Sequence, residues 1–488
     1  TTTVGPYTVE ATCTDAGLSA ALISTEPAVG SPFSVTLTAL ISNTGTVAVA
    51  AGLPVAFSIG EKPIGYALTA QAIQPGQAVT VTLDWSVDFP GDYTINVVPN
   101  AGGAVQPLAL CVQPAAAHRS ITVGDLPLYQ GWNLVSSVVD PLKPAVSTVQ
   151  RPIAGAYFVI QGFDGGARSY YPSLPPEINT LKTLDAAHGY WVKTTLTATV
   201  PPGEDEPPVA TLRLSGTRLP EDQPLALSAG WNLVSYLPQT ALPVTVALAS
   251  IAGKYTVVQG FDHGAQSFYP DLNPIFNTLL VMQPGMGYWI RTTQAVTLTY
   301  SSSAISTTVS AAGTRLLSIS QPQISMRTFF IGQTGRTAPI RQVEHDAGVT
   351  PTNTWVDIYG EAIQGESAAD AADGAPLLVG TVIKALDPQG IVCGATVVTT
   401  EGEYGLLACY GDDPDTPADE GAMAGDQIRL MVGEKVLGIG DWSGAGERQE
   451  VALGKVEQGE GPEGPGPLPT GQPPSRQWLP LVLDEGQD

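Results

Sequence analysis

A stretch of about eighty residues occurs twice in this chain. Gly131-Trp-Asn-Leu-Val-Ser136 returns as Gly230-Trp-Asn-Leu-Val-Ser235, Gln161-Gly-Phe-Asp164 as Gln259-Gly-Phe-Asp262, and Tyr171-Pro172 as Tyr269-Pro270. Asn179-Thr-Leu181 returns as Asn277-Thr-Leu279, and Gly189-Tyr-Trp191 as Gly287-Tyr-Trp289. The offset is 98 or 99 throughout. A constant offset over so long a unit is the duplication of a whole domain, not a solenoid turn. The copies fall at 117–200 and 220–300. Between them, 201–219 reads as a linker, because Pro201-Pro-Gly-Glu-Asp-Glu-Pro-Pro208 makes a stiff spacer. Two beads on a short rod are the expected arrangement.

Duplication also tests for catalysis, because a working site should survive as a complete constellation in at least one copy. His188 falls opposite Met286 and His263 opposite Gly165, so neither histidine belongs to the shared framework. What the copies share is Trp, Tyr, Phe, Gly, Asn and one Asp. Asp164 and Asp262 sit in Phe-Asp-x-Gly, where an Asp side chain ordinarily bonds the backbone that follows it. The shared rings have two readings. Tyr171, Trp191, Tyr269 and Trp289 pack a core, or they form a platform on which a pyranose ring stacks. The copies resemble Trp-Asn-Leu repeats of bacterial secreted surface proteins, a likeness that brings no activity with it.

Residues 1–116 read as one domain, in which several stretches of 17–110 alternate with period two. Phe33, Val35, Leu37, Ala39 and Ile41 face one way, and Val79, Val81, Leu83 and Tyr93, Ile95, Val97 repeat the pattern. Each run is a strand with one buried face, and turn clusters such as Gln74-Pro-Gly76 separate them as in a sandwich. Asn43-Thr-Gly45, Ile73-Gln-Pro-Gly76, Trp85 and Gly91-Asp-Tyr-Thr-Ile-Asn-Val97 resemble the bacterial CARDB family. That resemblance implies an immunoglobulin-like spacer or adhesion module without catalytic residues. Tyr7, Val9 and Ala11 read as the first strand of this sandwich or as an exchanged strand.

Residues 301–347 read as an irregular linker, with one strand at Met326–Ile331. A second sandwich follows at 348–455, with strands at Trp355–Gly360, Gly380–Ala385, Val392–Gly394, Gly402–Leu407 and Gly425–Val432. Its strand, Asp-Pro-x-Gly turn, strand order resembles transthyretin-like or carboxypeptidase-regulatory sandwiches. This region carries the densest acidic cluster, Asp412, Asp413, Asp415, Asp419 and Glu420. Such a loop is either solvated or holds a hard cation, and Ca²⁺ would be that cofactor. A Pro/Gly linker at 456–477 leads to an apolar strand in 478–488, formed by Trp478, Leu479, Leu481, Val482 and Leu483. Left bare it would aggregate, so it is expected to dock.

The chain has 488 residues, with 21 Lys plus Arg against 45 Asp plus Glu, a net charge of −24 and only 14% charged residues. Phosphate neutralisation needs clustered cations, and no such run occurs, which excludes nucleic acid as the partner. No apolar run reaches the 18 or so residues that span a bilayer. Four cysteines without C-x-x-C spacing pair locally, as Cys13–Cys111 and Cys393–Cys409. Together with an opening at Thr1 that shows no leader, they suggest a mature exported chain at the cell surface or outside the cell. The fold expected is all-β, a multidomain string of immunoglobulin-like and other β-sandwich domains. No G-x-S-x-G, H-E-x-x-H or phosphate-cradling loop is present. The function expected is a non-enzymatic subunit of a filament, sheath or surface layer whose partners are copies of itself. The alternative is an adhesin holding polysaccharide or another cell surface.

Overall fold

The period-two segments become strands in the computed structural model, which describes residues 17–31, 33–100, 115–198, 206–300, 337–364 and 375–454. Among the described residues, about 51% strand against 6% helix makes the fold all-β. The Cys13–Cys111 pairing, the Met326–Ile331 strand, the N-terminal Tyr7, Val9 and Ala11, and the apolar Trp478–Leu483 segment lie outside the described residues.

The N-terminal sandwich has β1 (Leu18–Pro27), β2 (Ser34–Asn43) and β5 (Ala78–Ser86) in one sheet. Its other sheet contains β3 (Pro54–Ile59), β4 (Lys62–Leu68), β6 (Gly91–Pro99) and β7 (Ala117–Leu128). Val35, Leu37, Ala39 and Ile41 are fully buried between the sheets against Phe57, Ile95 and Val97. Full burial of a Val, Leu or Ile side chain contributes about 1.5–3 kcal/mol. Phe33 departs from the expected inward row. It lies in the turn before β2, 58% exposed, with the Arg213 guanidinium 5.3 Å from its ring.

Copy one contains β8 (Trp132–Ser136), β9 (Val139–Pro141), α1 (Val146–Val149), β10 (Tyr157–Phe163), β11 (Ala167–Tyr170) and β12 (Gly189–Thr194), followed by β13 (Ala210–Arg218). Its central sheet has the order β11-β10-β12-β8. Copy two comprises β14 (Leu225–Leu227), β15 (Gly230–Ser235), β16 (Leu242–Pro243), α2 (Val244–Ala247), β17 (Tyr255–Phe261), β18 (Ala265–Phe268), β19 (Val281–Met282), β20 (Gly287–Thr292) and β21 (Val296–Leu298). Its sheet, β18-β17-β20-β15, has the same order.

Strand β13 occupies nine of the nineteen residues read as linker. The prolines stop at Pro208, and Leu212 and Leu214 then alternate with Thr211 and Arg213, both leucines being buried. The β7 strand pairs with β6 through Ala117–Val123 and with β13 through Thr122–Leu128, so one strand belongs to both the N-terminal sandwich and copy one. Buried Arg213 locks this junction. It holds Asp125 through two 2.7 Å bonds and donates to the carbonyls of Phe33 and Val87.

The copies are not beads on a rod. Val135 pairs with Met286 and Val234 with His188, which are the same two framework positions exchanged. Ser136 N–H donates to Gly285 O, and Ser235 N–H to Ala187 O. This is a self-complementary, pseudo-two-fold contact like that of an isologous dimer. At its centre a Cβ on Gly287 would lie 2.9 Å from Val135 O and 3.2 Å from the Gly189 Cα, with the mirror-image conflict at Gly189. The glycine of each Gly-Tyr-Trp motif is therefore required by the other copy.

The C-terminal unit begins with α3 (Thr337–Ala347), a helix in a segment read as irregular. It continues with β22 (Trp355–Glu361), β23 (Ile363–Gln364), β24 (Ala375–Pro376), β25 (Val382–Leu386), β26 (Val392–Val397), β27 (Glu403–Tyr410), β28 (Gln427–Val432), β29 (Lys435–Asp441) and β30 (Arg448–Glu450). Sheets β27-β22-β30 and β26-β25-β28-β29 form the sandwich, and the buried Cys393–Cys409 disulfide ties β26 to β27 across it.

Candidate functional site

The residues that both copies repeat converge on one place, the seam where the C-terminal sandwich lies across the pair. Trp132, Trp191 and Phe261 form one continuous core with Trp355 and Tyr410 of the C-terminal sandwich. Trp191 meets Trp132 and Phe261 edge-on at 5.9 and 5.1 Å, and Trp289 meets Phe163 at 5.1 Å, so rings from the two copies interlock.

On copy one the sandwich is held by its acidic loop. Asp413 is 3% exposed, and its Oδ2 accepts from Trp132 Nε1 at 2.7 Å and Lys193 Nζ at 2.6 Å. The Lys193 ammonium also lies 5.4 Å from the Trp132 ring and 5.7 Å from the Phe158 ring. Tyr171 OH donates to Asp415 Oδ2 at 3.4 Å, and Gln161 accepts from Asn353 Nδ2 at 3.0 Å. Burial and neighbouring Asp413 hold the Asp415 carboxyl above its usual range, against Lys193 and Tyr171.

Copy two presents the equivalent Trp231, Gln259, Tyr269 and Arg291 to different partners. Buried Asp357 accepts from Tyr269 OH at 2.9 Å and Gln259 Nε2 at 3.4 Å. Its carboxyl is pushed up to about 6 by burial, which Ser267, Tyr269, Gln259 and Trp355 only partly oppose. Arg448 lies 4.6 Å from the Tyr269 ring and holds Asp271 with bonds of 2.9 and 2.6 Å. Arg291 pairs with Glu447 at 3.1 Å, both side chains half-exposed. Against Trp231 lies Gly446, where a Cβ would come within 2.7 Å of the indole and φ is +80°. On α3, Glu344 is buried beside Tyr410, and burial pushes its carboxyl up to about 8 against the pull of Arg341 and the Tyr410 bond. The Tyr410 hydroxyl in turn accepts from Ala265 N–H at 2.8 Å.

This geometry removes the sugar platform. Tyr171, Trp191 and Tyr269 are buried, and half-buried Trp289 packs on Phe163 and Trp231, so no stacking face of the first three is open. The acidic loop folds on itself and on copy one. Asp413 Oδ1 accepts from Asp415 N–H, Asp412 Oδ1 from Glu420 N–H, and Glu420 Oε1 from the Thr416 hydroxyl. Among the described residues no three Asp, Glu, His or Cys side chains converge as a metal-ligand set. Among the described residues, Asp419 takes part in none of these loop hydrogen bonds. The Phe-Asp-x-Gly turns form, but Asp164 and Asp262 turn their side chains to Arg168 and Arg341 instead of the following backbone.

Gln161 and Gln259 belong to the repeated Gln-Gly-Phe-Asp motif, whereas Lys193, Asp357, Glu344 and Arg448 are not among the residues that the sequence marks as a candidate site. Lys193 has a signal, since Lys193 and Arg291 keep a cation at the same framework position two residues after the repeated Gly-Tyr-Trp. Asp357 and Glu344 had none, because an acid in a strand or a short helix is normally solvated. The arrangement defines an all-β, multidomain protein whose repeated residues serve an internal interface. Compared with family models, with curated proteins and with solved structures, the chain finds no match.

Proposed function

We propose that this chain is a non-enzymatic structural subunit of an extracellular filament, sheath or surface layer, joined to copies of itself by terminal strands. One observation carries the reading. Four units are tied into a continuous body, by the β7 strand shared between N-terminal sandwich and copy one, by the pseudo-two-fold contact, and by the sandwich that grips both copies. Load applied at one end of such a body passes through backbone ladders and buried cores, which suits a building block. The Cys393–Cys409 disulfide supports an oxidising environment, and the CARDB-like N-terminal sandwich supports a surface setting.

Negative-stain microscopy of the full chain, beside a chain lacking 456–488, tests the proposal. Ordered polymers from the full chain and single particles from the shortened one are expected. Equal polymerisation of both would remove strand exchange, and a full chain that stays monodisperse at every concentration would remove the subunit reading.

A further inference from the structure

Among the described residues, the outer face of the β26-β25-β28-β29 sheet is only half covered. At its β26 end, Val392 and Ala395 pack in the seam core with Val343 and Ala347 of α3. Beyond that helix the cross-strand register sets two rows side by side, Lys384–Met431–Val436 and Leu386–Arg429–Ile439. Val382 extends the patch along β25, and Leu378 and Val379 continue it into the preceding turn. Ile439 is 47% exposed, Val379 64% and Leu378 67%. An apolar stretch spread over three strands and a turn marks a surface that something covers.

Three features identify the occupant. The chain leaves the sandwich beside this face, where Gly454 N–H donates to Leu437 O of the outer strand β29. From residue 455 to 477 there are 23 residues before Trp478, and at about 3.5 Å per residue they reach up to about 80 Å, more than enough to return. The segment they carry is apolar from Trp478 to Leu483 apart from its turn-favouring Pro480, and acidic Asp484 and Glu485 follow directly. In a chain with 21 basic residues, Lys384 begins one open row and Arg429 stands in the middle of the other, so apolar and charged parts both find complements.

We propose that Trp478–Leu483 of the same chain docks on the open half of this face, beside α3, with Asp484 and Glu485 toward Lys384 and Arg429. This goes beyond the subunit reading and does not require it. It gives the free chain a closed state in which the apolar segment is sheltered, and exchange of that segment onto a neighbour would open it.

The test places a photo-crosslinking amino acid at Ile439 in the full chain, with a second chain carrying it at Tyr66, an exposed residue of the N-terminal sandwich. Equal amounts of isotopically light and heavy protein are mixed before irradiation, and cross-linked peptides are identified by mass. A tether gives an effective concentration on the order of millimolar, so at about 10 micromolar protein, same-isotope pairs between 439 and 478–483 should exceed mixed pairs by about a hundredfold. The Tyr66 probe should not capture the tail. Leu481→Asp with Val482→Asp should abolish the Ile439 product and leave the melting transition of the body unchanged. Absence of any 478–483 product at Ile439 overturns the proposal. Mixed-isotope products at half of the total also overturn it and instead support strand exchange between copies. Polymers without a tail product at Ile439 would leave the subunit reading intact while this docking site falls.

Discussion

The two repeats offer the C-terminal sandwich nearly the same surface, and the sandwich answers each differently. Copy one contributes Trp132 and Lys193, which meet a buried carboxylate at Asp413, and Tyr171, which meets Asp415 beside it. Copy two contributes Trp231, Tyr269 and Arg291. Here the cation stays at the rim with Glu447, while the buried acid, Asp357, is left to neutral donors. Duplication thus preserved one framework on both halves, and the partner's loops decided which half buries an ion pair. A repeated residue pattern fixes shape more tightly than it fixes energetics.

The largest effect expected follows from that difference. Lys193→Met removes the cation from an acid that is 3% exposed, and breaking a buried pair from one side costs about 3–5 kcal/mol. Arg291→Met breaks a half-exposed pair worth about 0.2–1 kcal/mol. Urea midpoints of the two variants should differ several-fold in their shift from the parent. Equal shifts would mean that the copies are gripped alike, and the comparison would fail.

Reducing Cys393–Cys409 should act on the sandwich and spare the repeats. For a separation of 16 residues the chain-entropy model gives about 3 kcal/mol. A thermal scan with reductant should show an early transition from the C-terminal unit. A single transition lowered as a whole would show that the seam makes the units cooperative.

The pH response should come chiefly from copy two's side and the helix. Asp357 and Glu344 have folded pKa values raised to about 6 and about 8, above their unfolded values. The folded state therefore binds more protons, and the stability this contributes is complete below about pH 4 and declines as pH rises toward 8. Asp357→Asn should flatten the decline between about pH 4 and 6, and Glu344→Gln between about pH 4.5 and 8, both followed by urea titration. A profile that either variant leaves unaltered would mean that the group ionises freely in the folded chain.

Much of the fold was legible in the sequence because period-two burial writes itself into alternating residues, as in Val35, Leu37, Ala39 and Ile41. The seam was not. Aromatic rings look alike in a list whether they stack on a sugar or on each other, so Trp191 and Tyr171 carried two readings until their burial settled it. Strand β13 was hidden by the prolines just before it, and α3 by burying Glu344, a residue expected outside. The pseudo-two-fold contact left one trace, the glycine of Gly-Tyr-Trp, but a close approach between copies cannot be told from a turn by a glycine alone. The acidic loop was found as a cluster; its partner Lys193 lies 220 residues away.

The finest comparison uses the one acid that both copies repeat. Asp164, with its side chain 72% exposed, reaches Arg168 of its own hairpin at 3.5 Å, a contact that solvent screens. Asp262 occupies the same turn in copy two but is half-buried and bound by Arg341 of α3, so it fastens the helix to the repeat. Asp164→Ala should change stability by less than about 0.5 kcal/mol, while Asp262→Ala should cost about 1 kcal/mol and raise hydrogen exchange in α3. The exchange measurement separates the two roles, since only a docking contact protects amides on another element. If exchange in α3 is unmoved by Asp262→Ala, the helix is held by Val343, Ala347 and Glu344 alone, and the repeated aspartates are equivalent turn residues after all.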